Sequence, residues 1–163
     1  MEVCVMGRTV GRFLVTIGVI AVGVGIVQGA GTADAAAHTV YQIPATAVTM
    51  SGSGIPGPYF AAVTAAPTST PGTTAFSAPA SPYVCSSSAG RALVRISYIN
   101  ITGLRSGTAT VKPCAGFVDP TPVVATADTG VGRVVAQIEV IGSQAYPDAG
   151  QPSLPGFATF AAY

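Results

Sequence analysis

The sequence predicts an all-β protein: a small antiparallel β-sandwich or barrel of about seven short strands, preceded by a signal-peptide helix. Three observations predict it. Apolar and polar residues alternate with period two over 91–99 and 133–141, the mark of a strand with one face buried. Thirteen prolines and twenty glycines in 163 residues punctuate the chain into short pieces, as turns require. Beyond the N-terminus, no segment combines a capping residue with a 3.6-residue apolar stripe, so no amphipathic helix is expected.

The N-terminus is of a different kind. Phe13 to Val27 is free of charge, follows Arg8 and Arg12, and leads into Ala33-Asp34-Ala35. A positive start, an apolar core and an Ala-x-Ala site make a secretory signal peptide. We expect residues 1–35 to be removed by cleavage after Ala35, with Ala33 or Ala37 as alternative sites and Met6 as an alternative start. The alternative is an uncleaved membrane anchor, but a run of fifteen residues, interrupted by Thr16, falls short of the ~20 that a spanning helix needs, so cleavage is expected, with no stable membrane insertion after it. Cys4 precedes the apolar run and is not a lipoprotein cysteine. The mature chain, 36–163, is expected to be a single domain in the cell envelope or outside the cell. One lysine and one asparagine in the whole chain point to a GC-rich coding sequence, as in high-GC bacteria.

His38 to Met50 reads as an early strand that Pro44 restricts to an edge or splits in two, because proline donates no ladder hydrogen bond. Residues 51–58 read as a loop and 59–64 as a short strand. Residues 66–82, rich in Pro, Ser, Thr and Ala, read as one long loop pinned by Phe76. Tyr83-Val84-Cys85 reads as a strand end. In the next strand Ala92, Val94, Ile96 and Tyr98 share the inner face, and Ala109 with Val111 share that of its hairpin partner. Two turn registers keep these faces together. A two-residue loop at Gly103-Leu104 sets Arg95 opposite Lys112, like charges that repel; a four-residue loop, Gly103 to Ser106, avoids this and is preferred. Strands are also expected at 123–127, 133–141 and 157–163, with 143–155 a proline-bearing loop.

Cys85 and Cys114 enclose the hairpin and are the two cysteines of the mature chain. In an exported protein an even pair is expected to form a disulfide. Closing a loop of about 30 residues contributes roughly 3–4 kcal/mol in the chain-entropy model. This spacing is shorter than that of an immunoglobulin inter-sheet bridge.

Composition excludes several function classes. The mature chain carries Arg91, Arg95, Arg105, Arg133 and Lys112 against Asp119, Asp128, Glu139 and Asp148, with no run of either sign. Nucleic-acid binding needs clustered Lys/Arg, and anionic membranes need a polybasic patch; neither partner is expected. The lone histidine, His38, is expected in a mobile tail, so no metal site, cofactor or Ser-His-Asp triad is expected. Asp128-Thr129-Gly130 resembles the active-site triplet of retroviral-type aspartic proteases. Only 35 residues follow Asp128, too few for that fold's flap and later core strand, and the triplet reads as a turn. Asn100-Ile101-Thr102 matches the N-glycosylation pattern. Tyr59, Phe60, Tyr98, Phe157, Phe160 and Tyr163 are candidates for core packing or for lining a carbohydrate or apolar groove.

The expected role is therefore not enzymatic: binding, or a structural part of the envelope, with an envelope polymer or protein as partner. Arg91, Arg95, Arg105 and Lys112 mark a candidate basic face on the hairpin. Two alternatives are a small hydrolase using Asp128 and Glu139, and a protease inhibitor presenting loop 144–156. Mass spectrometry of the secreted product checks the processing: a chain starting at Ala36, without free thiols until reductant is added.

Overall fold

The computed structural model describes residues 38–163. The expected signal peptide, 1–35, lies outside the described residues. Within them the chain is mostly β, arranged in three antiparallel sheets. Eleven strands occur rather than about seven, because several short strands lie in segments whose sequence reads as loop.

The strands are β1 (Tyr41–Ile43), β2 (Ala45–Met50), β3 (Pro56–Ala61), β4 (Thr64–Pro67), β5 (Thr73–Ser77), β6 (Ala92–Asn100), β7 (Ser106–Val111), β8 (Val124–Asp128), β9 (Gly132–Gly142), β10 (Ser153–Leu154) and β11 (Gly156–Ala162). A single helical turn, α1 (Pro82–Cys85), and a 3-10 turn, Ser88–Arg91, lie between β5 and β6. The sheets run β1-β11-β9-β6-β7, β10-β2-β3 and β4-β5-β8.

Two prolines explain how the chain moves between the first two sheets. Pro44 separates β1 from β2, and Pro155 separates β10 from β11. Each sits where the ladder is interrupted, so its missing N–H costs no hydrogen bond. The corner at Pro44 presses on Gly156, where an added Cβ would lie 2.3 Å from Ile43 O and Ala45 N. Only glycine fits there. The corner also inverts the alternation, so that Tyr41 and Ile43 face solvent while Ala45 and Ala47 face the core.

One core serves all three sheets. Val94, Ile96, Tyr98, Val134, Ala136, Ile138, Val140 and Phe160 from the five-stranded sheet meet Ala45, Ala47, Tyr59 and Ala61 from the second, and Ala65 and Phe76 from the third. Phe76 has no solvent exposure, with ring centroids 6.0 Å from Tyr98 and 5.8 Å from Phe160. It ties β5 to β6 and β11, as its isolated position in a Ser/Thr/Pro-rich stretch suggests. That stretch, 66–82, is nevertheless not one loop. It contains the end of β4, all of β5 and the start of α1, since Thr74 and Phe76 alternate inward against Thr73, Ala75 and Ser77. Threonine suits a pleated surface, but too few apolar residues mark the period in sequence.

Tyr83-Val84-Cys85 is helical, not a strand end. Ser81 caps α1 by accepting from Val84 N–H at 3.4 Å, and Pro82 occupies the first turn, a start signal that outweighs the β propensity of Tyr and Val. Residues 143–155 likewise include β10, paired with β2 through Ser153↔Ala47 and Leu154↔Thr46.

The β6–β7 hairpin has neither register expected. Arg95 pairs with Thr110 and Ile96 with Ala109, and the four-residue turn is Ile101 to Leu104, closed by Asn100 N–H donating to Arg105 O at 2.7 Å. The side chain of Asn100 decides this. Its Oδ1 accepts from Thr102 and Gly103 N–H at 2.8 and 2.9 Å. Its Nδ2 donates to Thr129 O and Val131 O at 2.9 and 3.0 Å. The turn is built on Asn100, two residues earlier than expected, and Leu104 takes the positive φ of 54°. Asn100 has no solvent exposure, so in the folded chain it is no glycan acceptor.

Asn100→Ala leaves two carbonyls and two N–H groups without these partners, and buried unsatisfied groups are costly. We expect a loss of about 2–4 kcal/mol, measured by urea unfolding, with the far-UV spectrum retained.

Candidate functional site

The four residues of the expected basic face are spread along the hairpin, and each is engaged. Arg95 pairs across strands with Glu139, its direct neighbour on β9, at 3.6 Å. Arg105 pairs with Asp128 on β8. Lys112 Nζ donates to Phe117 O and Asp119 O at 3.0 and 2.9 Å. The guanidinium carbon of Arg91 lies 4.1 Å from the Tyr146 ring centroid, within cation–π range. Each of the four therefore already has a partner within the domain.

A concave site lies instead beside the disulfide. Cys85 closes α1, Cys114 follows β7 by three residues, and their Cα atoms are 5.6 Å apart, within the range for a bridge. Next to them is a cleft of about 600 Å³, walled by Ser86–Ser88, Gly90 and Arg91 on one side and by 145–149 on the other. It adjoins a second space of about 470 Å³ lined by Cys114, Phe117 and Val118, the two sharing Cys85, Gly90, Arg91 and Tyr146. Both volumes fall in the range of small-ligand sites. The walls are built closely. A Cβ on Gly90 would lie 2.2 Å from Cys85 O, and one on Gly142 would lie 1.9 Å from Pro147 O. Ser87 caps the 3-10 turn by accepting from Ala89 N–H at 3.2 Å, and Tyr146 N–H donates to Ser143 O at 3.1 Å.

Two outward sheet faces expose large apolar residues. On β10-β2-β3 the cross-strand rows are Leu154–Thr46–Phe60, Val48–Pro58 and Met50–Pro56. Phe60 and Leu154 are 60% and 70% exposed. No charged residue occurs anywhere from 38 to 90. On the five-stranded sheet the rows Tyr41–Thr159–Val135–Ile99 and Ile43–Phe157–Gln137–Ser97 face solvent. Charge reaches that face with Arg133 and with the Arg95–Glu139 pair. Of the six aromatic candidates, Tyr59, Tyr98 and Phe160 are buried, while Phe60, Phe157 and Tyr163 are exposed.

The remaining titratable groups are dispersed. Asp128 on β8 and Glu139 on β9 belong to different sheets and pair with different arginines, so they do not converge. Asp119 accepts from Thr121 N–H at 2.8 Å; hydrogen bonds from the side chain and backbone of Thr121 hold its carboxyl below the ordinary range. Burial pushes the Tyr59 hydroxyl well up. Burial first, then Asp128, raises Tyr98, whose hydroxyl donates to Asp128 O at 3.3 Å. His38 is not a mobile tail. Its N–H donates to Ala65 O at 2.8 Å, and its ring stacks on Phe160 at 5.9 Å and meets Tyr163 at 5.3 Å. Burial lowers its pKa. Thr129 of the Asp-Thr-Gly triplet is buried, its Oγ1 lying 2.8 Å from Thr74 Oγ1 and donating to Gly72 O at 3.2 Å; the triplet is a structural turn.

Comparison with family models, with curated proteins and with solved structures finds no match for this chain.

Sequence reasoning missed Tyr146 and Asp148 as cleft residues, since nothing local distinguishes them. The charge-free span 38–90 was the available signal for the apolar face. Replacing Cys85 and Cys114 together by alanine is expected to cost about 3 kcal/mol of stability. It should also increase amide exchange at 86–91 relative to β9, read by hydrogen exchange.

Proposed function

We propose that this chain is an exported, non-enzymatic binding domain that serves as a structural component of the cell envelope or extracellular space. It is built as a β-sandwich in which the β10-β2-β3 sheet packs on the five-stranded sheet. The packing of β2 and β3 against β9 supports that arrangement, as does the single core the sheets share. The signal-peptide pattern of 1–35 supports export.

One observation carries the binding role: the outer face of β10-β2-β3 presents Phe60, Val48, Met50 and Leu154 to solvent and carries no charge. Contiguous exposed apolar surface of this kind marks an interaction site. Interface cores are depleted in charged residues and enriched in aromatics and Met, so the partner is a protein with an uncharged apolar surface. The outer face of the five-stranded sheet points away from the same core and offers a second apolar area at Tyr41, Ile43 and Phe157. A protomer with two dissimilar contact faces suits an extended assembly. The hydrolase alternative finds no support in the separated carboxylates. In the inhibitor alternative, loop 144–156 would protrude; here Ala149 and Gly150 are buried, and Gln151 Nε2 and Ser153 Oγ both donate to Val140 O.

Phe60→Asp puts a charge on the apolar face, at its β3 edge, without touching the core. It should reduce retention of the protein in the envelope fraction by about tenfold or more, as for an interface hot spot, and leave its thermal stability nearly unchanged. Thr70→Asp, at an exposed turn, should do neither. Unchanged retention of Phe60→Asp would overturn the reading. A concentration-dependent dimer lost in Phe60→Asp would make the partner a second copy of this chain.

A further inference from the structure

We propose that the cleft beside the disulfide is a binding site for a carboxylate-bearing sugar, with Arg91 receiving the carboxylate. This site is distinct from the apolar faces and does not depend on them.

The cation comes first. Arg91 has no carboxylate within ion-pair distance among the described residues, although Asp148 lines the same cleft. Its guanidinium lies against the Tyr146 ring, which restrains a side chain that would otherwise sample many rotamers. Tyr146 is itself braced edge-on by Phe117, with ring centroids 6.1 Å apart. A guanidinium restrained in this way keeps its planar set of N–H donors for an oxyanion, and carboxylates accept two of them at once. Arg95, Arg105 and Lys112 each already have an oxygen partner; the Arg91 side chain has none among the described residues, so its whole set of donors is open to a ligand.

The rest of the lining favours a sugar over an aliphatic acid. Asp148 supplies a carboxylate that accepts from hydroxyl groups. Ser88 Oγ accepts from Met50 N–H at 2.8 Å, which leaves its own hydrogen to donate. Ser86 Oγ donates to Tyr83 O at 3.0 Å, which leaves lone pairs to accept. Tyr146 gives an apolar flank for the C–H face of a ring, and Phe117 lines the adjoining space. A peptide carrying a terminal carboxylate is less well matched. Turns and a loop form the cleft, so no strand edge is available to pair with a peptide backbone. The disulfide and the close approaches at Gly90 and Gly142 hold both walls in place, and preformed walls reduce the ordering cost of binding.

The experiment uses the secreted chain, with trigalacturonate, the neutral galactose trimer and a tripeptide as probes, followed by NMR of backbone amides and arginine Nε–H groups. Trigalacturonate should shift the Arg91 Nε–H and the amides of 86–91 and 145–149, and added salt should weaken it. Arg91→Gln should lower the affinity by about tenfold or more. Arg133→Gln, outside the cleft, should not change it. Asp148→Asn, which keeps the shape of the cleft, should weaken binding less than Arg91→Gln, and its unchanged unfolding midpoint shows that the walls remain intact. No shift at Arg91, equal binding by the neutral trimer, or unaltered affinity in Arg91→Gln would each overturn the proposal. Equal binding by the tripeptide at the same signals would overturn the assignment to a sugar.

Discussion

The side chain of Asn100 holds together the end of the molecule where four strands turn. In a chain with a single asparagine, that residue is fully buried and uses all its donors and acceptors. It fixes the turn from β6 to β7 with its oxygen and the turn from β8 to β9 with its nitrogen. Next to it Thr129 reaches Thr74, and Gly130 N–H donates to Gly72 O at 2.8 Å. Gly72 N–H in turn donates to Tyr163 O at 2.9 Å. Buried polar groups are tolerable only when satisfied. Here satisfaction requires all these turns to be in place together, so the cluster sets the hairpin register and joins the third sheet to the first.

From that fixed end the sheets run towards the disulfide, and the small residues of the second sheet govern how closely the layers meet. Ala45, Ala47 and Ala61 face inward beside Tyr59, while Val48, Met50 and Phe60 of the same strands face outward. The bulk that sits on the surface is what supports a binding role. The charges of the hairpin are largely paired internally: exposed ion pairs such as Arg95–Glu139 contribute only about 0–1 kcal/mol each, but they offset the charge of Arg95 and Arg105.

Several elements were legible in the sequence because their signal is local. The alternation over β6 and β9 placed Ala92, Val94, Ile96 and Tyr98, and Val134, Ala136, Ile138 and Val140, on the buried face. Pro44 announced a break between two short strands. Phe76 stood out as the one large apolar residue of its stretch, and the cysteines announced their pairing. The hairpin register was not legible, because the alternation tolerates shifts of two residues and the deciding contacts come from Thr129 and Val131, some thirty positions away. Strands β4 and β5 were hidden by small and hydroxylated residues, whose period is too weak to read. The helical turn at 82–85 was marked by Ser81-Pro82, a cap that the β-rich residues after it obscured.

The candidate site divides in the same way. The sequence by itself determined that two cysteines and several cations lie on one hairpin, and that a long span of the chain is free of charge. Only the tertiary structure decided which cations meet an oxygen partner. It brought Tyr146 over Arg91 and Asp148 into the same cleft, from a loop more than fifty residues away. It also turned Phe60, Val48 and Leu154 outward on one surface. The physical reason is that periodicity and capping are properties of neighbouring residues, carried by the backbone geometry of each segment. Partner choice between arginine, carboxylate and ring depends on which segments the sheets bring side by side, and that is settled by packing across the core.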